Sequence, residues 1–126
     1  MSKYGPLKLK SWGTTRCIFR TDTVEIQAMR TLKGGFSSEH RHDARWNRFY
    51  VISGIIRINT FNDENGIERK DSVECRANQL VDVPPGQWHQ FEVLEDCVLV
   101  EIYWVACDSE DIMRRTEGGR IHPDAN

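Results

Sequence analysis

No stretch of this 126-residue chain approaches the ~20 consecutive apolar residues that a membrane-spanning helix needs. Its start, MSKYGPLKLK, lacks the apolar core of a secretory leader. Charge of one sign is also scarce: 17 Lys and Arg stand against 19 Asp and Glu, a net charge of −2. That excludes the strongly basic footprint of a nucleic-acid binder. The four cysteines, Cys17, Cys75, Cys97 and Cys107, are widely spaced and form no Cys-x-x-Cys pair. A zinc framework or dithiol redox motif is therefore unsupported, and reduced cysteines packed as small hydrophobes are expected. Internal repeats, low-complexity tracts and linkers are absent, so one domain over 1–126 is expected, in the cytoplasm, with no membrane or nucleic-acid partner.

What is present is period-two alternation. The hydrophobic fraction of 39% suits an ordinary globular core, and the chain is long enough to bury one. TTRCIFRT and VEIQAMRTLK read as early strands about a turn at Thr21 and Asp22. In the second, Val24, Ile26 and Ala28 alternate with Glu25, Gln27 and Met29. NRFYVISG places Asn47, Phe49 and Val51 on one face, and IIRINTF then places Ile56 and Ile58 on one side. Asn65-Gly66 is the strongest hairpin signal. HQFEVL and CVLVEIYWVAC follow the Pro84-Pro85-Gly86 turn. Helical periodicity is hard to find before SEDIMRRTEGG, where Ser109 caps a short C-terminal turn whose Ile112 and Met113 pack back on the body. Many short strands with turns between them predict an all-β sandwich or barrel, with a core of about 12–106 and a tail over 107–126.

Two stretches carry chemistry. GGFSSEHRHDARWNRFYVISG holds His40 and His42, whose i, i+2 spacing aims both imidazoles at one point if the segment is a strand. Neutral imidazole is the commonest side-chain ligand for transition metals, but a lone His-x-His occurs often by chance. VPPGQWHQF adds His89 at the start of an apolar strand face shared with Phe91 and Val93. A histidine pointing where core residues point needs a partner for its ring nitrogens, and a metal shared with His40 and His42 supplies one.

These stretches resemble the paired motifs of the cupin family, G-x5-H-x-H-x4-E-x6-G and G-x5-P-x-G-x2-H-x3-N. Gly34, His40, His42 and Gly54 match the first, and Pro84, Gly86 and His89 the second. Asn47 stands where the family has glutamate, Asn78 where the second motif has glycine, and Val93 where it has asparagine. The resemblance covers roughly 20–106. It implies a double-stranded β-helix, the jelly-roll-like cupin barrel, holding a divalent transition metal (Zn, Fe, Ni or Mn) through His40, His42 and His89, with Asn47 as a further candidate ligand or as an orienting group. The tail, VLVEIYWVACDSEDIMRRTEGGR, resembles the end of the cupin domain of type II mannose-6-phosphate isomerases and other sugar-pathway cupins. Cupins of this size commonly dimerise, so a homodimer is expected, with MSKYGPLKLKSW as the contact.

Without the carboxylate, a three-histidine centre keeps a net charge near +2 and favours a small anionic, bidentate ligand. The metal would act as a Lewis acid in isomerase, epimerase or lyase chemistry. A three-histidine iron dioxygenase and a non-catalytic metabolite-binding module are the alternatives. Asn47, Tyr50 and Glu101 are the catalytic candidates; whether Glu101 points inward depends on which strand face is the inner one. Trp46 and Trp88 flank the motifs and are expected to pack rather than to stack on a ligand. Val100 joins Phe49, Val51, Ile56, Ile58 and Phe91 as expected core or pocket wall. His122 is expected in the tail.

Overall fold

A computed structural model of the chain describes residues 5–62, 69–105, 113 and 115–121. Seven strands form, and no helix occurs among the described residues: β1 (Lys8–Lys10), β2 (Gly13–Arg20), β3 (Val24–Thr31), β4 (Trp46–Phe61), β5 (Arg69–Arg76), β6 (Leu80–Val83) and β7 (His89–Trp104). Among those residues no helix is long and apolar enough to cross a membrane. The strands pair antiparallel in the order β1-β2-β3-β7-β4-β5, with β6 also on β4.

The two 16-residue strands organise the barrel. The first half of β4 pairs with β6 and with the end of β7, while its second half pairs with β5 and with the start of β7. Each long strand thus serves two sheets, and the register between them shifts around Val51, Ser53 and Ile55. Gly54 sits at that bend with φ +87°. A Cβ there would lie 2.1 Å from the Asp96 carbonyl oxygen and 2.6 Å from the Cys97 Cα, so only glycine lets the two backbones approach this closely. Phe36 and His40, in the connection after β3, bridge to Glu92 and His89 and extend the second sheet. The two sheets face each other across Met29, Phe49, Val51, Ile56, Ile58, Cys75, Val83, Phe91, Val93, Cys97 and Leu99. This is the all-β, double-stranded β-helix expected from the motifs.

Several expectations are corrected. Val100 faces outward; its neighbours Leu99 and Glu101 are the buried pair. In β3 the alternation is inverted at the open end: Glu25 and Gln27 line the interior cavity, and only Met29 and Thr31, further along that face, are fully buried. The barrel there encloses a polar cavity rather than a dry core, so hydrophobicity does not mark its inner face. Met113 is 93% exposed rather than packed on the body. Ser109 and Ile112 of the C-terminal turn, the Asn65-Gly66 tip, Cys107 and His122 lie outside the described residues.

Asn78 is the only non-glycine among the described residues with positive φ, at 67°. Asparagine tolerates the left-handed region better than other side-chain-bearing residues, which explains how it stands where the second motif has glycine. Its Oδ1 accepts the Tyr50 hydroxyl at 3.1 Å. Cys75 and Cys97 are buried, free thiols; burial pushes both up, Cys97 to about 11. That suits packing, not nucleophilic chemistry.

Candidate metal centre

The segment bearing His40 and His42 is not a regular strand, so their convergence has another cause than strand alternation. His40 exchanges backbone hydrogen bonds with His89: His40 N–H to the His89 carbonyl at 3.0 Å, and His89 N–H to the His40 carbonyl at 2.8 Å. The His42 carbonyl accepts Gly86 N–H at 2.8 Å. The first motif is thus pinned to the second through main-chain bonds. The ring centroids of His40 and His89 lie 4.4 Å apart, those of His40 and His42 5.1 Å, and those of His42 and His89 5.5 Å. One ligand-capable nitrogen from each residue lies within 4.8 Å of the other two.

Hydrogen bonds set the ring tautomers. His40 Nδ1 lies 2.8 Å from the Ser38 carbonyl, and His89 Nδ1 lies 2.9 Å from the Gln87 carbonyl. A carbonyl only accepts, so each Nδ1 carries the proton and each Nε2 presents its lone pair, that of His89 facing the Asn47 amide nitrogen at 3.5 Å. His42 Nε2 is buried and meets no hydrogen-bond partner. Burial, then the nearby Arg45 charge, lowers His42 to about 4. Burial likewise lowers His89 to about 4, against the raising effect of the Gln87 carbonyl. Both rings are neutral near neutral pH, the form a metal requires.

Asn47 and Glu101 stand beside this cluster, on the inner faces of β4 and β7. Asn47 is 1% exposed; its Nδ2 donates to Glu101 Oε2 at 3.0 Å and lies 3.5 Å from His89 Nε2. Its Oδ1 is buried without a partner. Two buried side-chain atoms without a partner, His42 Nε2 and Asn47 Oδ1, beside His40 and Glu101 of a polar cavity, fit a cation. Glu101 is 7% exposed, and burial raises its carboxyl pKa against the lowering effect of hydrogen bonds from Tyr103 and Asn47. Tyr103 packs edge-on against His42 at 5.0 Å and lies beneath the Arg45 guanidinium at 3.9 Å.

Tyr50 does not reach the centre. It follows Phe49 on β4 and therefore faces the opposite, outer side, where it bonds to Asn78. Trp46 is also outside, stacked on Trp104 at 5.9 Å. Trp88 lies under Arg41, 5.3 Å from its ring centroid. The aromatic residues of the cavity are instead Trp12, Phe91 and Tyr103, with Trp12 edge-on to Phe91 at 5.1 Å. The cavity holds about 290 Å³. Lys8, Lys10 and Trp12, expected only in a subunit contact, and Gln27 and Tyr103 were not singled out by sequence as cavity residues. Tyr103 shares the strand face of Glu101, and Gln27 pairs opposite it, so the missing signal was the direction of Glu101.

No protein-family model and no curated protein sequence matches the chain. Solved structures do. KdgF from Halomonas sp. superposes with a TM-score of 0.67 at 12% identity, over 81% of this chain and 89% of that one. A cupin superfamily protein from Desulfitobacterium hafniense gives 0.63 at 15% identity, over 79% and 83%. Bacillus subtilis oxalate decarboxylase, an enzyme with Mn(II) centres, gives 0.68 at 21% identity; the match covers 85% of this chain but 29% of that longer one. These similarities establish the fold: the chain has the cupin architecture.

Proposed function

We propose that this chain binds one divalent transition metal through His40, His42 and His89, and that the centre binds and transforms a small anionic metabolite. The observation that carries this is the set of lone pairs: Nε2 of His40 and of His89, each fixed by a bond at Nδ1, beside the unpartnered Nε2 of His42. When bound, the metal supplies Lewis-acid polarisation of a carbonyl or enolate oxygen. Asn47 places its amide nitrogen between Glu101 and His89 Nε2, so it acts as the group that orients a ligand histidine from beside the centre.

Glu101 is the candidate for proton transfer. It is an inward-facing carboxyl on the cavity wall, and burial raises its pKa, the property wanted in a general acid or base. Its presence favours isomerase, epimerase or lyase chemistry over a passive binding module, because a carboxyl is available although Asn47 replaces the motif's glutamate. A sugar or sugar phosphate is the substrate class in keeping with the tail's resemblance. One observation favours a second reading, an iron dioxygenase: a donor set of neutral nitrogens with no carboxylate. A single domain working in the cytoplasm as a homodimer completes the proposal.

Elemental analysis of untagged protein, beside a His40→Ala/His42→Ala variant, tests the centre. About one transition metal per chain, absent from the variant, is the expected outcome. No metal in either protein, even after adding back iron, zinc, nickel or manganese, would overturn it. Oxygen consumption by the iron-loaded protein would select the dioxygenase.

A further inference from the structure

The cavity that reaches His40 is also lined by two lysines from β1. Lys8 and Lys10 are two apart on a strand and so share a face. Lys8 pairs with Thr15, whose side chain is 8% exposed and bonds Gln27 Oε1 at 2.9 Å on the cavity wall. Leu9, between them, points the other way and is 81% exposed. Edge-strand lysines often serve only to discourage strand pairing, but that role does not require both to face a cavity.

The acidic groups nearby are otherwise engaged. Glu25 pairs with Arg20 at 2.9 Å and accepts a hydrogen bond from Gln27 at 3.1 Å. Burial works to raise its pKa, but these neighbours and Arg45 hold it below the usual range. Glu101 accepts from Asn47 and is hydrogen-bonded to Tyr103. Among the described residues no ion pair of Lys8 or Lys10 occurs within 4.0 Å.

We propose that Lys8 and Lys10 form a second anion-binding point at the mouth of the cavity, so that the preferred ligand is a short acid with two anionic ends. One end engages the metal centre and the other, a carboxylate or a phosphate, meets the lysines. The inference rests on the metal-centre reading and adds the substrate's second charge. The cavity, at about 290 Å³, limits such a ligand to a small molecule. Trp12 and Phe91 supply apolar wall between the polar groups for its carbon chain.

The test uses the full chain, with metal stoichiometry measured first. Binding of 2-oxoglutarate is compared with that of 2-oxopentanoate, which has the same chain length but one acidic end. Phosphoglycolate against glycolate provides the phosphate arm. In at least one pair the two-ended acid should bind about three- to tenfold more tightly, the range of one or two solvent-exposed charge contacts, and the gap should narrow with added salt. Which pair shows the gap identifies carboxylate or phosphate. A Lys8→Gln/Lys10→Gln variant should lose the gap while keeping its metal and its affinity for the one-ended acid. Equal binding of both members of each pair by the wild type, or a gap that survives the double substitution, overturns the proposal. Metal bound at full stoichiometry with no acid binding overturns it while leaving the metal centre standing. Failure to bind metal at all is the separate failure of the centre itself.

Discussion

Lowering the pH should leave this metal centre less affected than an ordinary histidine site. A histidine of pKa ~6.5 is about one-quarter protonated at pH ~7 and about nine-tenths protonated at pH ~5.5, so each such ligand costs about an 8-fold loss of apparent metal affinity between them, and two cost about 70-fold. Here burial lowers His42 and His89 to about 4. At pH ~5.5 a group of that pKa is only about 3% protonated, so the two together cost less than about 1.1-fold. Zinc or manganese titration by calorimetry at about pH 7 and pH 5.5 measures this directly. The expected fall in affinity is at most about tenfold, with a steep loss only as the pH nears 4. A fall of about 70-fold or more would require at least two ordinary histidines and would refute the buried, neutral rings. The same shifts act on the stability of the metal-free protein. The unfolded chain takes up protons near pH 6.5 and the folded chain only near 4, so folded stability is lost as the pH falls between those values. Glu101, whose pKa is raised, acts in the opposite sense over the acid part of that window, which makes the metal-binding measurement the cleaner one.

Asn47→Leu should lower metal affinity about 10- to 100-fold and cost about 1–3 kcal/mol of stability, since Glu101 loses a donor while remaining buried; metal titration and chemical denaturation read the two effects. Gly54→Ala should cost about 3 kcal/mol or more, because its Cβ meets backbone at 2.1 Å and the φ of +87° suits no side chain; a thermal midpoint unchanged within error would contradict the close approach. Tyr50→Phe should leave metal binding unchanged and cost less than about 1 kcal/mol, since its hydroxyl bonds only at the outer surface; a loss of metal would place it at the centre after all.

The architecture was legible because its signals are local. His40, His42, Gly54 and His89 occupy fixed spacings, and Asn47, Phe49 and Val51 alternate as a strand with one buried face. The site was legible only where a residue's direction followed from its neighbours. Asn47 could be placed beside the histidines, whereas Tyr50 was drawn in by adjacency in the chain although a strand sends neighbours to opposite faces. Glu101 needed to be known as inward, and the apolar run around it gives no such sign, since Val100 and Ile102 are apolar on the outer face as well. In β3 the usual rule misleads, because the inward residues at the open end are Glu25 and Gln27. Lys8 and Lys10 come to the cavity through the pairing of β1 with β2 and of β2 with β3, contacts distant in sequence from the histidines.

The reciprocal main-chain bonds between His40 and His89 have a practical consequence. The two attachment points are spaced by peptide geometry, so replacing an imidazole alters what is presented without moving where it is presented from. The end of the barrel is therefore a socket for ligand exchange: a carboxylate, thiolate or amide placed at either position samples a different metal preference on an unchanged mount.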